Sequence, residues 1–231
     1  MDVNETIRDI KSQLRSSMNG AVSQSMREKG LGYKLNFGVE IPRIKLIASQ
    51  YDKNHDLAQL LWKEDIRESK ILATHLQPYD SFYPEIADIW VENIHTMEIA
   101  EQAAMNLFQY LMYAPAKSFQ WIADEREFFQ VAGYLTISRL LQKKGDMNER
   151  ASAEFLDQAL AAVNSEFYNI RQSAIRAIRV FTNHSESNAF LVCRLIEGFE
   201  QSAKNSEREI YSIIKEEVEN AGFSPGTETG F

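Results

Sequence analysis

Cysteine, proline and glycine are scarce in this chain: one, five and ten residues among 231. A single cysteine excludes an internal disulfide and a thiolate cluster, so neither staples nor a cysteine-rich metal site can organise the fold. Cys193 stands in the apolar run Phe190-Leu191-Val192-Cys193, which reads as a buried helix face rather than a reactive thiol. With so few helix breakers, and no sustained alternation of β-branched and polar residues, strands have little support. No apolar run approaches the roughly 18 residues needed to cross a bilayer. The N-terminal Met1-Asp2-Val3-Asn4-Glu5 also lacks a basic segment followed by an apolar one. A soluble, cytoplasmic protein without a membrane partner is the expectation. A Gly-rich phosphate loop and a nucleophile elbow are missing too, and His55, His75, His95 and His184 are scattered without metal-ligand spacing. The sequence therefore predicts neither a cofactor nor a metal.

Positive charge is short as well. The formal net charge of −8 argues against indiscriminate nucleic-acid binding, because neutralising phosphates takes a cationic surface. Its distribution is uneven: +3 over residues 1–50, −8 over 51–130, +2 over 131–181 and −5 over 182–231. A fold that brings the two mildly basic segments to one surface would carry a local basic strip despite the total. An asymmetry of this size also arises by chance, and both readings stand.

What the chain has in abundance is helical periodicity. The pattern predicts helices near 4–17, 20–29, 42–50, 55–63, 65–77, 83–93, 97–113, 117–122, 126–143, 149–163, 167–182, 187–203 and 207–220. Ser206 and Glu209 have capping-box spacing for the last of these. Residues 1–221 are read as one repeat domain, and 222–231, without an apolar period, as a frayed tail. Paired helices with short links recur, and the second helix of each pair carries an alanine at a comparable place: Ala73, Ala103, Ala132 and Ala174. Small residues there let neighbouring pairs stack closely. Their intervals of 30, 29 and 42 residues are irregular, so spacing alone leaves an α-solenoid and an irregular bundle open.

A family resemblance tips that choice. Asn36-Phe37-Gly38-Val39-Glu40-Ile41-Pro42, then Leu60-Leu61-Trp62, then Arg67-Glu68-Ser69-Lys70-Ile71-Leu72-Ala73 resembles the opening of the AlkD-like DNA alkylation repair proteins. The likeness extends with decreasing clarity over roughly residues 26–181. It implies an all-α fold, an α-solenoid of HEAT-like helical repeats that cradles DNA, and in active members an alkylpurine glycosylase. The quoted residues read as structural: Gly38 permits a tight turn and Pro42 suits a first helical turn, while Trp62 and Trp90 sit on apolar faces as packing residues.

The resemblance also implies a site. Active relatives place a carboxylate, preceded by a tryptophan, on a mid-chain helix; it stabilises an oxocarbenium-like sugar while aromatic faces hold the cationic base. Over Ile94-His95-Thr96-Met97-Glu98-Ile99-Ala100-Glu101-Gln102, Met97 falls where the tryptophan is expected and Glu101 where the aspartate is. Arg176 stands nearest the place of a second tryptophan, and no arginine stands around Phe128-Phe129-Gln130-Val131-Ala132, where one is expected. By helix geometry Glu98, Gln102, Asn106, Gln109 and Tyr113 form a polar stripe with Glu101 at its margin beside Met97, Met105, Phe108 and Met112. Glu101 is thus either a solvated carboxylate at a helix edge or a catalytic stabiliser in semi-apolar surroundings.

Arg176 and Arg179 share a face with Gln172, opposite Ile170, Ala174, Ile178 and Phe181. Arginines so spaced can grip successive phosphates, with Arg139, Lys143 and Lys144 as helpers, or pair with carboxylates of a neighbouring repeat. Three functions remain in view. The first is a scaffold binding double-stranded DNA or another macromolecule, its glycosylase site lost or altered. The second is an active glycosylase excising cationic N3- or N7-alkylpurines through Glu101. The third is a solenoid for a protein partner, in keeping with the acidic total.

Overall fold

Short polar side chains set where several helices begin. The side-chain oxygens of Asn19, Asn54, Thr96, Asn148 and Ser185 each accept the backbone N–H three residues on, and each such cap is worth about 1 kcal/mol. Pro42 and Pro84 fit the first turns of their helices, where no N–H is needed. The computed structural model describes residues 2–223. Its helices are α1 (Val3–Ser16), α2 (Gly20–Glu28), α3 (Ile41–Ala48), α4 (His55–Lys63), α5 (Arg67–Leu76), α6 (Pro84–Glu92), α7 (Met97–Asn106), α8 (Ala114–Ile122), α9 (Glu127–Gln142), α10 (Glu149–Ala162), α11 (Tyr168–Thr182), α12 (Glu186–Ile196) and α13 (Asn205–Asn220). Among the described residues there is no β-strand, only an isolated bridge between Leu35 and Ile66. The fold is an all-α solenoid of HEAT-like helical repeats, as the sequence predicts. Among the described residues no helix is long and apolar enough to cross a membrane.

Every expected helix forms, with instructive differences in extent. The helix expected over 97–113 stops at Asn106, whose side-chain amide donates to Thr74 Oγ1 (2.9 Å) and Gln102 Oε1 (3.0 Å). Leu107 then leaves helical geometry and a 3-10 turn, Phe108–Tyr110, follows. The helix expected over 187–203 ends at Ile196 and passes into a 3-10 segment, Glu197–Gln201, containing Gly198. The expected capping box is a correction. Helix α13 starts at Asn205, and Ser206 donates its hydroxyl to Asn164 Oδ1 (2.7 Å) instead of capping. The expectation of a frayed tail falls, from residue 224 onward, outside the described residues.

The chain divides into two compact units, residues 1–114 and 115–231. In the first, α5 and α7 run parallel: Arg67 at the start of α5 binds Glu98 at the start of α7, and Thr74 meets Asn106 near their ends. Helix α3 joins the same row, because the Phe37 and Val39 amides before it donate to Glu68 (both 3.1 Å). These are the second helices of successive pairs, and Ala73 and Ala103 are fully buried where they stack. Trp62 of α4 and Trp90 of α6 lie face to face, ring centroids 4.1 Å apart and planes within 2°, with Phe82 edge-on to Trp90. Both tryptophans are core, as their apolar faces predict.

In the second unit α9 and α11 run parallel, with Asn169 donating to Glu127 at their starts (2.9 Å) and His184 meeting Asp146 beyond their ends. Helix α13 continues the row: Glu217 accepts from Arg179 of α11 and from Asn183, the residue that follows α11. Ala132 and Ala174 are again fully buried. Gly133 supplies the close approach to α8, since a Cβ there would meet Ile122 Cγ2 at 2.5 Å and Ser118 O at 2.8 Å. Cys193 is partly buried, and burial raises its thiol pKa, in keeping with the packing reading.

Candidate nucleic-acid interface

In the first unit the segment that carries the resemblance builds a polar lock. Gly38 has φ +69, and a Cβ on it would sit 2.3 Å from Asn19 O and 2.7 Å from Ser23 N, so only glycine fits against the start of α2. Glu68, with no solvent exposure, takes the Phe37 and Val39 amides and one guanidinium nitrogen of Arg67 (3.0 Å). Arg67, 1% exposed, reaches the Val39 carbonyl (2.8 Å) and grips both oxygens of Glu98 (2.6 and 2.7 Å). Hydrogen bonds and charge from Glu98 and Glu68 outweigh burial and raise the Arg67 pKa further, so the guanidinium stays charged. A buried charge persists only when so completely paired. Lys70 is likewise buried, donating to the Trp62 carbonyl (3.0 Å) with its ammonium over the Trp62 ring, and desolvation lowers its pKa.

This lock changes the meaning of the polar stripe on α7. Glu98 and Asn106 turn toward α5, where Arg67 and Thr74 are their partners, and Gln102 accepts from Asn106 within α7. Glu101 lies at the stripe's margin, partly buried, one turn beyond the partly buried Met97. In the loop after α7, Met112 is almost fully exposed, so it does not continue the apolar side of Glu101's surroundings. On α7 the Glu98 carboxylate is thus occupied by an arginine.

The basic candidates all belong to the second unit. Arg139, partly buried, donates to Gln142 Oε1 (3.2 Å) near the end of α9. Lys143 and Lys144 follow it, both exposed, and Lys144 has a left-handed backbone (φ 64). On α11, Arg176 is partly buried and Arg179 exposed. Arg179 forms an ion pair with Glu217, whose carboxyl is pulled below its ordinary range by hydrogen bonds from Asn183 and Arg179. Of the two readings for Arg179, pairing with a neighbouring repeat is therefore realised in this structure. Because α9 and α11 are parallel, Lys143 and Lys144 come to the same end of the unit as Arg179 and His184; of these, Lys144 and His184 line an open groove of about 630 Å³ there. Sequence reasoning missed His184 and Asp146 here, which stand 38 residues apart and hydrogen-bond at 2.9 Å. Among the described residues no group of three or more His, Cys, Asp or Glu side chains could hold a metal ion.

Comparison with known proteins completes the picture. A solved structure described as a new family of proteins related to the HEAT-like repeat DNA glycosylases, with affinity for branched DNA structures, superposes with a TM-score of 0.73. It is 16% identical, and the match covers 94% of this chain and 95% of that one. A search of curated proteins finds no match. The family model described as DNA alkylation repair enzyme matches residues 10–191. That span takes in the Gly38 turn, the Arg67 lock, the α7 carboxylates and the α9 and α11 cations, and the chain belongs to the DNA alkylation repair enzyme family.

Proposed function

We propose that residues 1–221 act as a single repeat domain that binds DNA through its sugar–phosphate backbone, with the glycosylase site of the family lost or altered. The observation that carries this reading is the gathering of Arg139, Lys143, Lys144, Arg176 and Arg179 on the parallel helices α9 and α11 and the loop after α9. Cations so gathered suit phosphates rather than bases, because phosphate contacts position a protein on DNA without reading sequence. The affinity for branched DNA ascribed to the structural relative makes branched DNA the first ligand to try beside a plain duplex. Supporting an altered reaction centre are Met97 and Arg176 where the family resemblance leads one to expect aromatic walls. The exposure of Met112 and the engagement of Glu98 by Arg67 add to this.

The deciding experiment is binding of duplex and branched DNA at two salt concentrations. Weak, strongly salt-sensitive association is expected, falling about tenfold or more in the Arg176→Glu plus Arg179→Glu variant. Absence of association even at low salt would sink this reading and favour a protein partner. Family membership itself supports a second reading, excision of cationic alkylpurines with Glu101 as electrostatic stabiliser. Release of methylated base from alkylated DNA, abolished by Glu101→Gln, would establish it.

A further inference from the structure

The groove between the ends of α9 and α11 has a feature that the backbone of α9 does not need. Helix ends attract cations because their last carbonyls carry partial negative charge. Here those carbonyls are already satisfied: the Lys143, Lys144 and Gly145 amides donate back to Arg139, Leu141 and Leu140. This is the hydrogen-bond pattern of a helix end that ordinarily puts glycine in the left-handed position. Lys144 occupies that position instead, with φ 64, and glycine comes one residue later; among the described residues Lys144 is the one non-glycine with positive φ. A lysine there costs about 1 kcal/mol in backbone energy relative to glycine. Its ammonium has no hydrogen-bond or ion-pair partner among the described residues, and the residue lines the groove.

Across the groove, His184 is largely buried, its side chain 19% exposed, and its Nε2 lies 2.9 Å from Asp146 Oδ1. Asp146 stands almost free in solvent, its side chain 89% exposed, on the short connection between α9 and α10. Gln142 and Asn183 also line the groove, the Gln142 oxygen accepting from Arg139 and the Asn183 amide donating to Glu217. A part-buried imidazole and an unpaired ammonium thus line one space, into which an exposed carboxylate reaches. A carboxylate and a phosphate are both anionic acceptors of such hydrogen bonds.

We propose that this groove is a site for a DNA phosphodiester, and that Asp146 is an internal placeholder for it. An incoming phosphate oxygen takes the His184 hydrogen bond, the Lys144 ammonium neutralises the phosphate charge, and Asp146 swings out to solvent. The proposal rests on the reading that the chain binds DNA, and it adds His184 and Asp146 to the basic residues named above.

The test measures DNA affinity for Lys144→Ala, His184→Gln, Asp146→Asn and, as a control for general charge, Glu149→Gln on the neighbouring first turn of α10. Lys144→Ala and His184→Gln should each weaken binding roughly three- to tenfold, and Lys144→Ala should lower the salt slope by about one. Asp146→Asn should tighten binding distinctly more than Glu149→Gln. Equal gains from the two acidic variants, or unchanged affinity in the Lys144 and His184 variants of a protein that binds DNA, would overturn the proposal. A second arm follows the His184 ring resonances by NMR during titration with inorganic phosphate, assigned with the His184→Gln variant. Movement of those resonances without any DNA binding would sink the DNA reading and leave the phosphate groove standing. No response to either phosphate or DNA would remove the groove.

Discussion

The two units tie their helix pairs together by different means. In the first, side-chain ties repeat at an interval of 31 residues: Phe37 to Glu68, Arg67 to Glu98, Trp90 to Gln59 and Tyr113 to Phe82. They are buried or half-buried, and α5 at their centre has nine of its ten residues inside, Arg67, Glu68, Ser69, Lys70 and Thr74 among them. In the second unit the ties span 34 to 43 residues and lie mostly at the surface: Asn183 to Glu217, His184 to Asp146, Asn164 to Glu207. A polar tie sealed from water must be completely satisfied and cannot be exchanged without large loss. One in solvent can trade its partner at little expense. The first unit is thereby built as a fixed frame, the second as a surface whose charges remain available to a ligand.

The largest expected contrast comes from cutting one tie in each unit. Glu68→Ala leaves the Phe37 and Val39 amides unpaired inside the protein and takes from the buried Arg67 one of its two carboxylate partners, and should cost about 3–5 kcal/mol, whereas Glu217→Ala should cost about 1 kcal/mol or less. Urea unfolding measures both, and comparable losses would erase the distinction. Next in size is a pair of glycines. Gly38→Ala combines positive φ with a Cβ clash on backbone and should cost about 2 kcal/mol or more. Gly198→Ala meets nothing within 4 Å and should change stability by about 0.5 kcal/mol or less.

Acid should loosen the units at different points. Desolvation, with Lys45 and Lys53 nearby, lowers the His75 pKa from 6.5 to about 4. Between those values the unfolded chain takes up a proton that the folded one refuses, so stability present above pH 6.5 is lost as pH falls toward 4, by up to about 3 kcal/mol. Replacing His75 with Gln should flatten that part of the profile. In the second unit, hydrogen bonds from Lys204, Ser202 and Asn164 hold the Glu207 carboxyl at about 2 against an ordinary 4.5. Its contribution is present above 4.5 and lost as pH falls toward 2, so denaturation of the two units in acid should separate. The smallest contrast concerns caps. Asn54→Ala should cost about 1 kcal/mol, while Ser206→Ala, removing no cap, should cost less.

Much of this organisation was legible in the sequence because it is local. Helix positions followed apolar periodicity, and the stacked alanines and core tryptophans followed from their faces. Their uneven intervals match the units: 30 residues from Ala73 to Ala103 within the first, 42 from Ala132 to Ala174 within the second, and 29 across the boundary. What was not legible depended on partners far away in the chain. The stripe of Glu98, Gln102 and Asn106 looks like any polar helix face until Arg67 and Thr74, 31 and 32 residues before their partners, are placed against it. Ser206 and Glu209 have the spacing of a capping box, but Asn164, 42 residues earlier, competes for the serine hydroxyl. The candidate site was legible only as residue types. That Arg179 is engaged by Glu217 while Lys144 lacks such a partner is decided by which helices lie parallel, and periodicity does not report direction.

The paired indoles of Trp62 and Trp90 have a practical consequence. Two aromatic chromophores stacked in nearly parallel planes at 4.1 Å couple their optical transitions, and the Lys70 ammonium above one of them perturbs that band further. The remaining tryptophan, Trp121, lies in the other unit. Near-ultraviolet dichroism should therefore report loss of the first unit as the disappearance of an exciton signal, while emission from Trp121 follows the second. Without any added label, the molecule carries a separate optical gauge for each half.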